Sequence, residues 1–322
     1  MEKKSIPIAE DAEIGSFSRL RRSKEGKTPD SNGKSPSLLR KVLITLGVIL
    51  VFLIAGGTKL ILDAQHTSTT TFATVKRTEK TATPDLSQGK PFSFLFLAVN
   101  GKDLDDVVLF TLNPAKHTAT VVNMDHNLYI DAAGASLTEI YAQGGTGAVL
   151  DNVQTELNTP LNKYMTFNMS GLGQLVASAG DVSISNPTHF IANRYEFISG
   201  TVALKTKAQA QAYITEASSP QESPDARIQR EQDVLMTLLP TLKTPHSLLA
   251  ADSFLSIANG HLKQNFSFSE AKNLAIHYYK AFGNIAKRNI HTQPSVINGE
   301  NYLVTDQNEL TQAHNMIKAA FK

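Results

Sequence analysis

The sequence predicts an α/β layered domain carried behind one transmembrane helix. Two observations predict it. Val42–Thr58 is an uncharged apolar run, VLITLGVILVFLIAGGT, and from Phe92 onward short apolar runs alternate with segments of helical pattern. Elements of both types bury one face each, and alternating them along the chain stacks them in layers.

From the N-terminus, residues 1–37 are polar, with scattered Ser, Lys, Gly and Pro and no apolar period, so they read as a disordered tail. Residues 1–41 hold ten Lys/Arg against six Asp/Glu, which leaves the remainder slightly acidic. If Lys59 snorkels, the apolar span extends to Leu62. Val42–Leu62 then reaches about 31 Å as a helix, enough for a bilayer core. Arg40-Lys41 and the basic tail place the N-terminus inside. A cleaved signal peptide would have a far shorter leading region. The reading is a cytoplasmic tail over 1–41, a signal anchor over 42–62, an extracytoplasmic linker over 63–90 and a domain over 91–322. That makes a single-pass type II protein of the cell membrane. The linker rests on Thr-rich composition, and short strands are its alternative, because Thr favours them.

The 322-residue chain has no Cys, which excludes disulfide and thiolate chemistry. The large domain shows no basic excess, so no nucleic acid partner is expected.

Within the domain, Phe92–Val99, Val107–Leu112 and Ala119–Met124 read as buried strands. Asp103, Asp105 and Asp106 lie before the second, where a loop would present them. Carboxylates there suit a hard cation such as Mg2+, and a solvated turn is the plainer reading. Ser136–Gln143 and Gly147–Asn158 look helical, broken at Gly144-Gly145. Tyr164–Met169 is a strand, Gly171–Ser178 a short helix, Val182–Ser185 a strand, and Lys207–Thr215 and Arg227–Leu239 are helices. Ser267 and Glu270 form a capping box for a helix running to about Phe282. Tyr302–Val304 and Glu309–Phe321 close the chain as strand and helix. His117, His277, His291 and His314 lack zinc-type spacing, and the GGTG at 144–147 lacks the Lys-Ser/Thr of a phosphate loop.

Several segments carry a resemblance. Leu97-Ala98-Val99-Asn100, Asp103-Leu104-Asp105-Asp106, Leu112-Asn113-Pro114 and Asp125-His126-Asn127 stand in the order of a Leu-Gly-Val-Asp, Arg-Ser-Asp-Thr, Val-Asn-Pro and Pro-Arg-Asp series. Glu139–Gly145, Tyr164–Gly180, Leu204–Tyr213 and Arg227–Gln232 continue it. In this the chain resembles the LytR-CpsA-Psr family over roughly residues 91–322.

The resemblance implies a central mixed β-sheet flanked by helices. It also implies a membrane-anchored, Mg2+-dependent phosphotransferase of Gram-positive envelopes. Such a protein attaches a polyprenyl-pyrophosphate-linked glycopolymer, of teichoic acid or capsule type, to peptidoglycan. Its partners would be the polyprenyl (pyro)phosphate lipid, peptidoglycan and the membrane. Residue by residue, it assigns Asp105 and Asn127 to the metal. It assigns Arg227 and Arg230 to catalysis and, with Gln232, to phosphate binding. Arg227 and Arg230, three apart, share a helix face and can grip neighbouring phosphate oxygens; a solvated helix face is the plainer reading. Leu157, Leu161, Leu172 and Leu175 would line a polyprenyl slot, or simply pack the core.

The chain departs from the family pattern where charge matters. Asp103 replaces an Arg, Asn127 replaces an acid, and Thr215 and Ala217 replace an Arg-x-Arg pair. Losing one preorganised charge stabiliser costs about 3–4 kcal/mol of transition-state binding. The expectation is turnover far below that of a relative with intact motifs. A non-catalytic protein that binds lipid-linked precursors or wall partners is the alternative. A membrane-linked transcriptional attenuator ranks last, because the tail shows no helix-turn-helix signal.

Overall fold

A computed structural model describes residues 66–78, 81–82, 84–179, 182–215, 230, 233–234, 237, 259–278, 280–281 and 284–322. The tail and the 42–62 span lie outside these. Among the described residues no helix is long and apolar enough to cross a membrane.

The described residues build a six-stranded mixed sheet around β1 (Phe92–Asn100), β2 (Asp103–Asn113) and β3 (Thr118–Met124), an antiparallel meander. All three are buried along nearly their whole length, because both sheet faces are covered. β4 (Tyr129–Ile130) and β5 (Ala135–Ser136) form a small ribbon that leads into α1 (Leu137–Glu156). The Ser136–Glu139 capping box starts α1, and Gly145 kinks it at φ 64°, ψ −161°, a conformation open to glycine. β6 (Lys163–Asn168) returns parallel to β1 and runs through a 3-10 turn into α2 (Leu172–Ala179).

β7 (Val182–Asn186) pairs with β10 (Gly200–Leu204). Between them β8 (Phe190–Ala192) and β9 (Tyr195–Phe197) form a hairpin, and α3 (Lys207–Thr215) follows. β11 (Leu262–Gln264) adds antiparallel to β6 at one edge. α4 (Phe268–Asn273) starts at the expected Ser267–Glu270 box, but its regular part stops early and passes into a π-turn at Leu274–Tyr278. β12 (Asn284–Asn289) adds parallel to β3 at the opposite edge. Its sequence, NIAKRN, has no strand pattern because an edge strand on a half-exposed face needs little apolar surface. β13 (Gln293–Ile297) and β14 (Glu300–Val304) make a hairpin, and α5 (Gln307–Phe321) ends the chain.

The sheet separates two cores. On one side Leu95, Leu97, Val107, Leu109 and Val122 pack with Val149, Val153 of α1 and Leu310, Ile317 of α5. On the other, Phe94, Phe96, Phe110 and Met165 pack with Leu172, Phe190, Phe197, Tyr213, Phe266 and Tyr278. Leu157 and Leu161 belong to the first core, Leu172 and Leu175 to the second. The four leucines therefore do not line one slot; core packing accounts for them.

Residues 66–78, Thr-rich in sequence, lie against the domain. A helical stretch at 66–71 precedes a bridge from Phe72 to Gln264. Tyr164 donates its hydroxyl to the Ala73 carbonyl at 2.8 Å. Arg77 pairs with Asp151 at 2.7 Å, and Thr78 donates to the same carboxylate from backbone and side chain. Gly147 is required here, since a Cβ at that position would sit 2.1 Å from the Lys76 carbonyl oxygen.

Candidate active site at the carboxyl edge of the sheet

β1, β3, β6 and β12 run in one direction, so their carboxyl ends share one edge of the sheet with the beginning of β2. Ligands bind α/β sheets at such edges because strand ends and loops converge there without closing. This edge carries Asn100, Asp103–Asp106, Asp125–Asn127 and Asn168.

The acids expected in a loop are instead inside β2. Asn100 pairs with Asp103, Val99 with Leu104 and Ala98 with Asp106, so Asp105 is an extra residue, a β-bulge. The bulge explains a pattern that alternation does not. Leu104 and Val107, three apart, both face the aliphatic core, which turns Asp105 and Asp106 together toward the other face. Bulges re-aim side chains in this way and are frequent beside functional sites. Asp105 is 4% exposed. Asp106 accepts from its neighbour's Val107 N–H at 2.9 Å. Burial pushes the Asp106 carboxyl up to about 7; the charges of Asp105 and Asp125 push the same way, against the pull of the Val107 bond.

Asp125, His126 and Asn127 form the turn after β3. The Asp125 carboxylate accepts the Asn127 N–H at 2.8 Å, and His126 Nδ1 lies 3.8 Å from it. The Asn127 amide nitrogen lies 3.0 Å from His126 Nε2. The start of α1 fixes this turn: Thr138 donates from both N–H and hydroxyl to the His126 carbonyl, each at 2.9 Å.

Among the described residues no three Asp, Glu, His or Cys side chains group closely enough to hold a metal ion by themselves. Asp105 and Asp106 offer two carboxylates on one face. Mg2+ is commonly held by one or two carboxylates together with substrate phosphate oxygens. The donor set therefore suits a cation whose shell the substrate completes, and not an all-protein cage.

Arg227 and Gln232 lie outside the described residues. Arg230 is described: it is helical and 5% exposed. Its Nε donates to the Tyr213 carbonyl at 2.6 Å, and its guanidinium lies over the rings of Phe190 (4.8 Å) and Tyr213 (5.9 Å). It sits within the aromatic core, on the same side of the sheet as the bulged acids. This is a tighter setting than the solvated helix face that two Arg three apart suggest.

Sequence reasoning overlooked His261. It lies beside the carboxyl end of β6, with Nδ1 3.4 Å from Ser170 Oγ and Nε2 3.1 Å from the Gln174 amide nitrogen. Burial first, then the Lys207 charge, lowers its pKa. Gly171 lets it approach, because a Cβ there would sit 2.5 Å from the ring. The small residues Ser170, Gly171 and Gly173 are the only local sign of a close approach, and they name no partner.

Known proteins are similar to this chain in sequence and in fold. A polyisoprenyl-teichoic acid–peptidoglycan teichoic acid transferase TagU of Enterococcus faecalis is 28% identical over 290 residues, covering 85% of this chain and 95% of that protein. TagU of Bacillus subtilis is 21% identical, covering 88% and 97%. The fold matches the crystal structure of Bacillus subtilis TagV with a TM-score of 0.55 at 19% identity, over 72% of this chain and 98% of that one. It also matches a structure of TagT bound to LIIa-WTA with a TM-score of 0.55 at 18% identity, over 77% and 99%. The mixed sheet flanked by helices is thus a known architecture. The profile of the LytR_cpsA_psr family matches residues 58–319, and the chain belongs to that family.

Proposed function

We propose that this protein, anchored by residues 42–62 with its domain outside the membrane, binds polyprenyl-pyrophosphate-linked glycopolymer at the carboxyl edge of its sheet and transfers it slowly to peptidoglycan. Family membership and relatives named as teichoic acid transferases support the substrate class. The observation that carries the site is the bulge at Asp105, which sets two carboxylates on one face at the open edge. Asp105 and Asp106, with the Asn127 oxygen, would hold Mg2+ against the pyrophosphate. When bound, the ion would neutralise charge on the bridging and transferring oxygens. Arg230, with Arg227 and Gln232 on the same stretch, would bind the phosphate.

Slow transfer follows from local charge. Asp103 is exposed at the edge where family members place an Arg, and Thr215 ends α3 where another stands. A pyrophosphate arriving here meets fewer cations and one more anion, a mismatch that grows as charge develops in the transition state.

The test is Mg2+-dependent turnover of a lipid-linked glycopolymer beside a family member that keeps the Arg and acid positions altered here. Turnover at least a hundredfold slower, abolished by Asp105→Ala, is expected. Rates equal to that relative would show a rebuilt site. Binding without any turnover would favour the non-catalytic reading, to which the same charge losses point.

A further inference from the structure

We propose that the acidic edge of the sheet faces the bilayer, held there by the segment at residues 66–78, so that the protein's partner surface at this edge is the lipid headgroup layer. The inference rests on the anchor proposed at 42–62 and adds an orientation to it.

The argument is topological. β11 enters the sheet at Leu262, opposite Phe167 near the carboxyl end of β6, and leaves at Gln264, opposite Met165. Phe72 bridges Gln264 in the parallel sense, so the chain before Phe72 comes from the carboxyl edge. Two further contacts agree. The Gln264 amide donates to the Ser68 carbonyl at 3.2 Å and lies 3.1 Å from the Thr71 hydroxyl, and the Thr70 hydroxyl bonds to Asn259, ahead of β11. After Phe72 the segment descends the sheet: Ala73 to Gln264 and Tyr164, then Arg77 to Leu161, just before β6 begins. Residue 66 is therefore at the acidic end and residue 77 at the opposite end.

Residues 63–65 separate the proposed span from residue 66. The four links from residue 62 to residue 66 reach at most about 14 Å. The acidic edge is thus kept near the headgroups. The far end of β2 lies 11 residues away along the strand, about 35 Å further out. Burial of Thr67, Ser68 and Thr71, and the Arg77–Asp151 pair, make the segment a fixed strap. A free tether would let the domain rotate. The orientation suits a substrate whose pyrophosphate sits at the membrane surface while its lipid tail stays in the bilayer.

The chain has no cysteine, so single labels are clean. Lys102→Cys marks the acidic edge, in the exposed turn between β1 and β2. Lys116→Cys marks the far end, in the exposed turn between β2 and β3. The full chain carries a fluorophore at one of these and is reconstituted in phosphatidylglycerol–phosphatidylcholine vesicles containing a headgroup nitroxide quencher. Quenching at 102 should exceed that at 116 at least fivefold, and Asp151→Ala should reduce the ratio. Equal quenching, or stronger quenching at 116, in chains that float with the vesicles overturns the orientation and leaves the anchor standing. Failure to float overturns the anchor and this inference with it. An unchanged ratio in Asp151→Ala overturns the role of the strap.

Discussion

Leu95, Leu97, Val107, Leu109 and Val122 line one face of the central sheet under two long helices; Phe94, Phe96 and Phe110 line the other under short helices and ribbons. The aliphatic side closes like a jigsaw, with branched side chains interdigitating between sheet and helix. The aromatic side is built from ring plates. Phe94 stacks on Phe110 at 4.9 Å, Phe92 meets Tyr278 edge-on at 5.1 Å, and Phe197 meets Tyr213 edge-on at 5.1 Å. Rings have polar faces, so this side can bury a guanidinium, as it does with Arg230. The bulge adds Asp105 and Asp106 to the same side. The difference teaches that one face is closed by aliphatic packing with an ion pair, Arg77–Asp151, clamping residues 66–78 to it, while the other buries a guanidinium and two carboxyl groups beside its rings.

The largest test of that contrast uses neighbours in one strand. Leu109→Ala and Phe110→Ala open cavities on opposite faces. We expect losses of about 2–5 and 3–5 kcal/mol respectively in urea unfolding. Only Phe110→Ala should also weaken polyprenyl phosphate binding at a temperature where both remain folded. Equal binding loss in both would erase the distinction between the faces.

Asp151→Ala probes polar clamping on the aliphatic side. Burial raises this carboxyl's pKa, but bonds from Thr78 and Arg77 outweigh it and hold the value below 3.8. The clamp therefore stabilises above that pH and fades as pH falls through the lowered value. Removal should cost about 3 kcal/mol at pH 7 and progressively less in acid. A cost independent of pH would show that the pair contributes through packing.

Arg230→Ala should cost about 1.5–3 kcal/mol, the worth of a hydrogen bond to a charged group. Isothermal titration with polyprenyl phosphate should show weaker binding as well, more so with Arg227→Ala added. Unchanged affinity in the double variant would make Arg230 a structural pin.

The smallest effect is a gain. Asp106 has its folded value raised from 3.8 to about 7. Its ionisation costs stability as pH rises through that window. Asp106→Asn should stabilise by about 1–2 kcal/mol at pH 8, after allowance for solvent screening, and by nothing at pH 4. Thermal unfolding at both pH values checks the sign, and a gain at pH 4 alone would reverse it.

Local signals were legible where local physics decides. Ser136 with Glu139 and Ser267 with Glu270 announced their helices, and both boxes form. Gly144-Gly145 announced the break in α1 and became its kink. β12 was illegible because NIAKRN is an edge strand chosen by its neighbour β3, and His261 because its partners lie 91 and 87 positions away.

The sequence by itself determined the apolar span, the core strands, most helices of the domain and the departures in charge from the family pattern, since each is written in residues adjacent along the chain. Tertiary structure decided three things. Pairing with β1 forced the bulge that turns Asp105 and Asp106 to one face. Closure of the aromatic layer buried Arg230. Contacts with β11 and α1 made residues 66–78 a strap. Each depends on which strand lies beside which, and a separation along the chain carries no record of that.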